Sequence, residues 1–262
     1  MIRAAIFDID DTLFDMETKR FVPSAIEGLK QLKEKGVLVV LATGRPPHSA
    51  QAVWEEGVRP DYIVCANGHL TLDSQGEIET EHTFEPELSE KVYQYCKTNE
   101  IGLLWKYPDI VYEYIHAEVF ENFYSKTKDS RKNLVIGDTD IHYSRNPNGG
   151  CLGCSLEKLK CFNETFRERC TAVPIDDASS DLMLYGVNKK SAVEALLKRI
   201  GIRGEECIAF GDNLNDLEIL QYAGIGVCMG NGSEELKQTA DYITDSLNYD
   251  GIIHALKHFD MI

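Results

Sequence analysis

Near the start of the chain stands the run Asp8-Ile9-Asp10-Asp11-Thr12. On an extended backbone residues i and i+2 point to the same side. Asp8 and Asp10 then share one space, while Ile9 and Asp11 face away from it. Two carboxylates held that close repel each other unless a cation or a proton intervenes. The pair is therefore a candidate metal or acid/base site, set against the plainer reading of a solvated Asp-rich loop. Three further stations carry usable chemistry. In Thr43-Gly44-Arg45 a hydroxyl and backbone N–H groups at a helix start can hold an anion such as phosphate. Lys189-Lys190 opens a helix, where a cation opposes the helix dipole by ~0.3–1 kcal/mol and a bound anion would remove the conflict. Two solvated surface lysines are the alternative there. Asp212 with Asn215 and Asp216 supplies oxygen ligands of the kind a hard cation such as Mg²⁺ takes. Helix capping by Asn215 with Glu218 would account for Asn215 but not for Asp212.

The elements that must position these residues follow a regular rhythm. Ile2–Phe7 is short and apolar, reads as a buried strand of a parallel sheet, and ends at the acidic run. Ser24 and Glu27 have capping-box spacing before a helix whose apolar face is Ile26, Leu29 and Leu32, with Gly36 as its stop. Val37–Ala42 is a second strand ending at Thr43, followed by a helix from about His48 to Glu56, and Asp61–Cys65 is a third strand. After Asn188 the rhythm returns: a helix with Val193, Leu196, Leu197 and Ile200 on one face, the strand Cys207–Phe210 ending at Gly211-Asp212, and the strand Ile225–Met229 followed by Gly230-Asn231-Gly232. Alternating strands and helices predict an α/β fold, a doubly wound parallel sheet of Rossmann-like kind with sites at the carboxyl ends of the strands.

Between the halves the pattern is mixed α+β. A hairpin over Thr71–Glu77, a helix over Pro86–Thr98, aromatic-rich strand-like sequence over Leu103–Tyr114, a helix near Ala117–Ser125, a loop over Asn146–Gly150, a helix over Glu157–Arg169 and a strand over Ser180–Gly186 are expected. The simplest organisation is a core of residues 1–79 and 184–262 with an inserted domain of residues 80–183.

A chain of 262 residues with a net charge of −16 argues against nucleic acid or an anionic membrane surface as partner. No apolar run approaches the roughly 18 residues of a membrane span, and no secretion signal is apparent. Eight cysteines set mostly among apolar residues suggest reduced thiols. These features fit a soluble cytoplasmic enzyme. The pair Cys151 and Cys154 reads as packing rather than a metal or redox site. His69, His82, His116 and His142 are packed or surface histidines that could reach a ligand, and Trp105, Tyr107, Tyr112 and Tyr114 line either a pocket or the inserted domain's own core.

Taken together, the four stations resemble the haloacid dehalogenase-like superfamily of aspartate-nucleophile phosphatases, and within it the Cof-type, class IIB sugar-phosphatase branch. The matching motifs are Asp8-Ile9-Asp10-Asp11-Thr12, Thr43-Gly44-Arg45, Lys189, and Gly211 through Asp216, in that order; Ala223–Val227 and Met229–Gly232 are similar to that branch as well. The resemblance implies a core fold with an inserted cap and a Mg²⁺-dependent phosphomonoester hydrolase acting on small phosphorylated metabolites, sugar phosphates foremost, as a monomer or homodimer. It implies Asp8 as nucleophile and Asp10 as acid and base. Mg²⁺ would be held by Asp8, the Asp10 carbonyl and Asp212, with Asn215 or Asp216 nearby. Thr43, the Gly44 backbone and Lys189 would hold phosphoryl oxygens, Asp216 could instead orient Lys189, and Arg45 and Asn67 would support substrate or structure. A phosphosugar mutase uses the same intermediate, and a signalling receiver domain also phosphorylates an aspartate, though its acidic pair sits on a separate strand.

Overall fold

A computed structural model describes residues 1–116, 120, 134–137, 140–175 and 178–262. In chain order the elements begin with β1 (Ala4–Phe7), the short hairpin β2 (Phe14–Asp15) and β3 (Arg20–Phe21), α1 (Pro23–Glu34), β4 (Leu38–Ala42), α2 (Pro47–Ala50), β5 (Tyr62–Cys65), β6 (Leu70–Asp73) and β7 (Ile78–Glu81). Next come α3 (Pro86–Thr98), β8 (Gly102–Lys106), β9 (Val111–Ile115), β10 (Leu134–Ile136), β11 (Gly149–Gly153), α4 (Leu156–Thr165), β12 (Cys170–Pro174) and β13 (Ser179–Leu184). The chain ends with α5 (Lys189–Arg199), β14 (Cys207–Gly211), α6 (Leu217–Tyr222), β15 (Ile225–Cys228), α7 (Glu234–Lys237), β16 (Tyr242–Ile243) and α8 (Gly251–His258). The expected helix near Ala117–Ser125 falls largely outside the described residues.

Two compact units result, one of Met1–Thr43, Ala50–Glu79 and Asn188–Ile262, the other of Gly44–Ser49 and Thr80–Val187. The first is built on an eight-stranded sheet in the order β16-β15-β14-β1-β4-β5-β6-β7. From β16 to β5 all neighbours run parallel; β6 is antiparallel to β5. Strand alternation explains why those strands are apolar throughout. Ala5, Phe7, Val39, Leu41, Ile208 and Phe210 pack on one face with Ile26, Leu29, Leu32, Ile252 and Leu256 of α1 and α8. Ala4, Ile6, Val40, Ala42 and Ala209 pack on the other with Val193, Leu196, Leu197, Ile219 and Leu220 of α5 and α6. A sheet with a helical layer on each face is the α/β architecture that the strand–helix rhythm predicts.

The second unit has a six-stranded sheet, β10-β9-β8-β11-β13-β12, antiparallel except at β9–β10. The strand-like stretch over Leu103–Tyr114 is a hairpin, turning between Lys106 and Val111. Gly149 and Gly150 belong to β11 and not to a loop; a Cβ on Gly150 would lie 2.5 Å from the Leu104 carbonyl, so the strand needs glycine there. Trp105, Tyr107 and Tyr114 are buried in this unit's own core with Phe84, Leu159 and Phe162. Lys106 and Asp181 are buried as an ion pair at 2.8 Å, and Cys151 reaches the same carboxylate oxygen at 3.6 Å. Burial pushes the Cys151 thiol up to about 12, which keeps it protonated and inert.

One local expectation fails for a clear reason. Ser24 and Glu27 do not form a capping box: the helix N-cap is Val22, Pro23 takes the first helical position, and Ser24 already lies inside the helix with its hydroxyl buried and unpartnered. Proline's fixed φ suits that first position, and it starts α1 one residue before the serine.

Candidate active site

Asp8 follows the last residue of β1, and Asp212 follows the last residue of β14. These strands are neighbours with Phe7 opposite Phe210, whose rings stack at 4.7 Å, and Asp8 N–H donates to the Phe210 carbonyl at 3.0 Å. Register alone thus brings together two acids some 200 residues apart. Beyond Asp8 the chain turns sharply. The Ile9 carbonyl accepts from the N–H groups of Thr12, Leu13 and Phe14, and Asp11 takes φ +54°. Asp11 spends its carboxylate on the Met16 N–H at 3.1 Å, outside the cluster. Thr12 is wholly buried and its hydroxyl donates to Asp212 Oδ1 at 3.1 Å, a structural tie between the two acidic runs.

Lys189 is the first residue of α5, whose N-cap is Asn188 in a capping box with Ser191. Its ammonium is 1% exposed and donates to Asp8 Oδ1 at 2.6 Å and Asp216 Oδ1 at 2.7 Å. Lys190, by contrast, reaches outward to Glu194 at 2.6 Å. Asp216 uses its other oxygen to accept the N–H groups of Asp212 (3.1 Å) and Asn213 (3.3 Å). Here too the expected cap shifts: Asn213, not Asn215, caps the turn, with Asp216 rather than Glu218 as the third residue. A Cβ on Gly211 would lie 2.5 Å from the Asp216 carboxyl group, so glycine lets that carboxylate fold back over the strand end.

Ligand oxygens of Asp8, Asp212 and Asp216 lie within 4.8 Å of one another. Burial pushes Asp8 up to about 7; Lys189 pulls it down, and Asp216 and Asp10 push it up again. Burial and the carboxylates of Asp8 and Asp216 push Asp212 up to about 9. Burial would lower Lys189, but Asp216 and Asp8 outweigh it, and the ammonium stays charged. Three carboxylates against one ammonium leave two negative charges uncompensated when all are ionised. An all-oxygen donor set with excess negative charge fits a hard divalent cation such as Mg²⁺.

Thr43 is wholly buried just past β4, its N–H donating to Val64 and its carbonyl accepting from Asn67 N–H at 2.9 Å. Gly44 follows it directly, and Arg45 donates from Nη1 to the Ser49 carbonyl at 3.4 Å, within the Gly44–Ser49 segment that belongs to the second unit. Asp10, half-buried, pairs by a single bridge with Phe14. Among the histidines, His69 is wholly buried and bonds through Nδ1 to the Ala66 carbonyl, and His142 is buried against Glu90 at 3.0 Å. Asn231 carries no assignment in the sequence reading, yet its Nδ2 donates to the Asp11 carbonyl at 2.8 Å and its Oδ1 accepts from Leu247 N–H at 2.8 Å. Its only visible signal was the Gly-Asn-Gly after a strand.

The family profile of haloacid dehalogenase-like hydrolases matches residues 5–256. A putative bifunctional phosphatase/peptidyl-prolyl cis-trans isomerase of Streptococcus pyogenes is 29% identical over all of this chain, which spans only 54% of that longer relative. The 5-amino-6-(5-phospho-D-ribitylamino)uracil phosphatase YcsE of Bacillus subtilis is 25% identical, covering 98% of this chain and 96% of its own length. A solved structure described as a HAD subclass IIB sugar phosphatase superposes with a TM-score of 0.87 at 26% identity, covering 99% of this chain and all of that one. With the profile matched along nearly the whole chain, this protein belongs to the haloacid dehalogenase-like hydrolase family, as a phosphatase of its Cof-type, class IIB branch.

Proposed function

We propose that this chain is a Mg²⁺-dependent phosphomonoester hydrolase that acts on small phosphorylated metabolites, sugar phosphates among them, through an aspartyl-phosphate on Asp8. The observation that carries the reading is the buried Asp8 carboxylate, held by Lys189 at 2.6 Å beside Asp212 and Asp216. Relatives named for phosphorylated pyrimidine and sugar substrates support the substrate class.

In this reading one oxygen of Asp8 attacks phosphorus, and the ester oxygen leaves as an alcohol. Splitting the displacement at Asp8 replaces one difficult step by two easier ones. Asp10 gives its proton to the departing alcohol and takes one from the water that then hydrolyses the aspartyl-phosphate. An ammonium has three donors; Lys189 spends two on Asp8 and Asp216, and the third goes to a phosphoryl oxygen. The Thr43 hydroxyl and the Gly44 N–H take the others. Asp216 keeps Lys189 aimed, Thr12 keeps Asp212 aimed, and Arg45 stands by for the substrate. Mg²⁺, held by Asp8, the Asp10 carbonyl and Asp212 with Asn215 nearby, would offset the carboxylate repulsion and the phosphoryl charge. The insert over residues 80–183 serves as a cap that selects the leaving group, and the compartment is the cytoplasm.

The test is phosphate release from p-nitrophenyl phosphate and a panel of sugar phosphates, with Mg²⁺ or EDTA, for the wild type, Asp8→Asn and Asp10→Asn. Release that needs Mg²⁺ and is abolished in Asp8→Asn is expected. Full activity in Asp8→Asn, or no Mg²⁺-dependent release from any substrate, overturns the reading.

A further inference from the structure

Three successive residues with positive φ follow β5: Ala66 at +47°, Asn67 at +53° and Gly68 at +100°. Side-chain-bearing residues avoid this region, and such strain persists only where the surroundings over-determine it. The surroundings are the stations of the site. Asn67 N–H donates to the Thr43 carbonyl at 2.9 Å. A Cβ on Gly68 would run into the carbonyl of Asn188, the residue before Lys189. The carbonyl of Ala66 accepts from His69 Nδ1 at 2.7 Å, which closes the turn from below. Asn67 itself is 2% exposed, and its Oδ1 accepts from Asn215 Nδ2 at 3.5 Å.

That last bond decides how Asn215 is presented. A carboxamide carries its donor nitrogen and its acceptor oxygen on opposite branches of one carbon. With Nδ2 given to Asn67, Asn215 Oδ1 is turned away from Asn67. A hard cation, or a water bound to it, takes the oxygen and is repelled by the NH₂ group. We propose that Asn67 is a positioning residue: it fixes the amide of Asn215 so that oxygen rather than nitrogen faces a divalent cation held by the acidic cluster. The inference rests on the Mg²⁺ reading above, and it assigns the strained turn a task, since only a left-handed Asn67 combines its backbone bond to Thr43 with its side-chain bond to Asn215.

Two substitutions separate this role from a merely structural one. Glycine tolerates positive φ best and lacks the acceptor; aspartate also tolerates it and keeps an acceptor oxygen. If only the backbone mattered, Asn67→Gly would equal or exceed Asn67→Asp in every property. The proposal predicts the reverse order for metal. Calorimetric titration of MgCl₂ into the full chain without substrate should give a Kd raised at least ~10-fold in Asn67→Gly, as for outer-shell partners of other metal ligands. Asn67→Asp should bind as tightly as the wild type or more so. The Tm of Asn67→Gly in EDTA should stay at or above that of the wild type, showing an intact fold. Wild-type affinity in Asn67→Gly, or equal weakening in both variants, overturns the proposal and leaves the Mg²⁺ reading standing. A wild type that takes up no Mg²⁺ overturns both.

Discussion

At the first turn of α5 one lysine is drawn inside and its neighbour is left in water. Lys189 is shared between Asp8 and Asp216 in a buried cluster, whereas Lys190 meets Glu194 at the surface and lies 5.3 Å over the Tyr222 ring. Removing one member of a buried charged group leaves the others unpaired, at a cost of about 3–5 kcal/mol, while exposed i,i+4 pairs contribute about 0.3–0.5 kcal/mol. Lys189→Met should therefore destabilise the metal-free chain by about that larger amount at pH 8, and Lys190→Met by no more than about 0.5 kcal/mol. Urea denaturation in EDTA measures both. At pH 5 the Lys189→Met penalty should shrink, because the stranded carboxylates take up protons instead of staying charged. Equal effects of the two substitutions would remove Lys189 from the site. The run Lys189-Lys190 in the sequence does not distinguish the two residues. The distinction comes from the capping box of Asn188, which fixes where the helix starts and so which lysine faces the sheet.

Each station sits where one element hands over to the next, and the handover at Gly211 has the least room. The Asp216 carboxylate folds back to accept two N–H groups at the end of β14 and still reaches Lys189, in space a methyl group would occupy. Gly211→Ala should cost about 1–3 kcal/mol through overpacking. It should also lower kcat/KM on p-nitrophenyl phosphate by about 10²-fold through displacement of Asp216 and Lys189, since shifts of about 1 Å near reacting groups have that effect. Wild-type kinetics in a folded Gly211→Ala chain would show that Asp216 does not aim Lys189. Much of this arrangement was legible beforehand, because buried parallel strands are apolar runs and sites gather at their carboxyl ends. Where local signals compete, the sequence does not decide. Capping spacing fits both Asn213–Asp216 and Asn215–Glu218, and Pro23 overrides Ser24. Bonds such as Thr12 to Asp212 and Asn231 to Asp11 join residues 200 and 220 positions apart and leave no periodic trace. They exist only once strand order and register are set.

For the chain as a whole, the charges gathered at one place set how stability responds to pH and metal. Asp8 and Asp212 are pushed from an ordinary 3.8 up to about 7 and about 9 in the folded chain. Between roughly pH 4 and pH 9 the folded state thus binds more protons than the unfolded state, and stability must fall as pH rises through that window, by at most about 1.4 kcal/mol per pH unit for each proton of difference. Paired acids with lowered values give the opposite slope. Mg²⁺ competes with those protons, because it binds carboxylates only when they are ionised. Its stabilisation should therefore grow with pH and offset the loss. Calorimetric Tm values at pH 5, 6, 7 and 8 should fall steadily in EDTA, while the gap between Mg²⁺ and EDTA widens. Asp212→Asn removes the group with the larger upward shift, and should flatten the EDTA slope and narrow the gap. A Tm in EDTA that stays level or rises across this range would mean that the acidic cluster is already compensated within the fold, leaving the chain no need of a cation there.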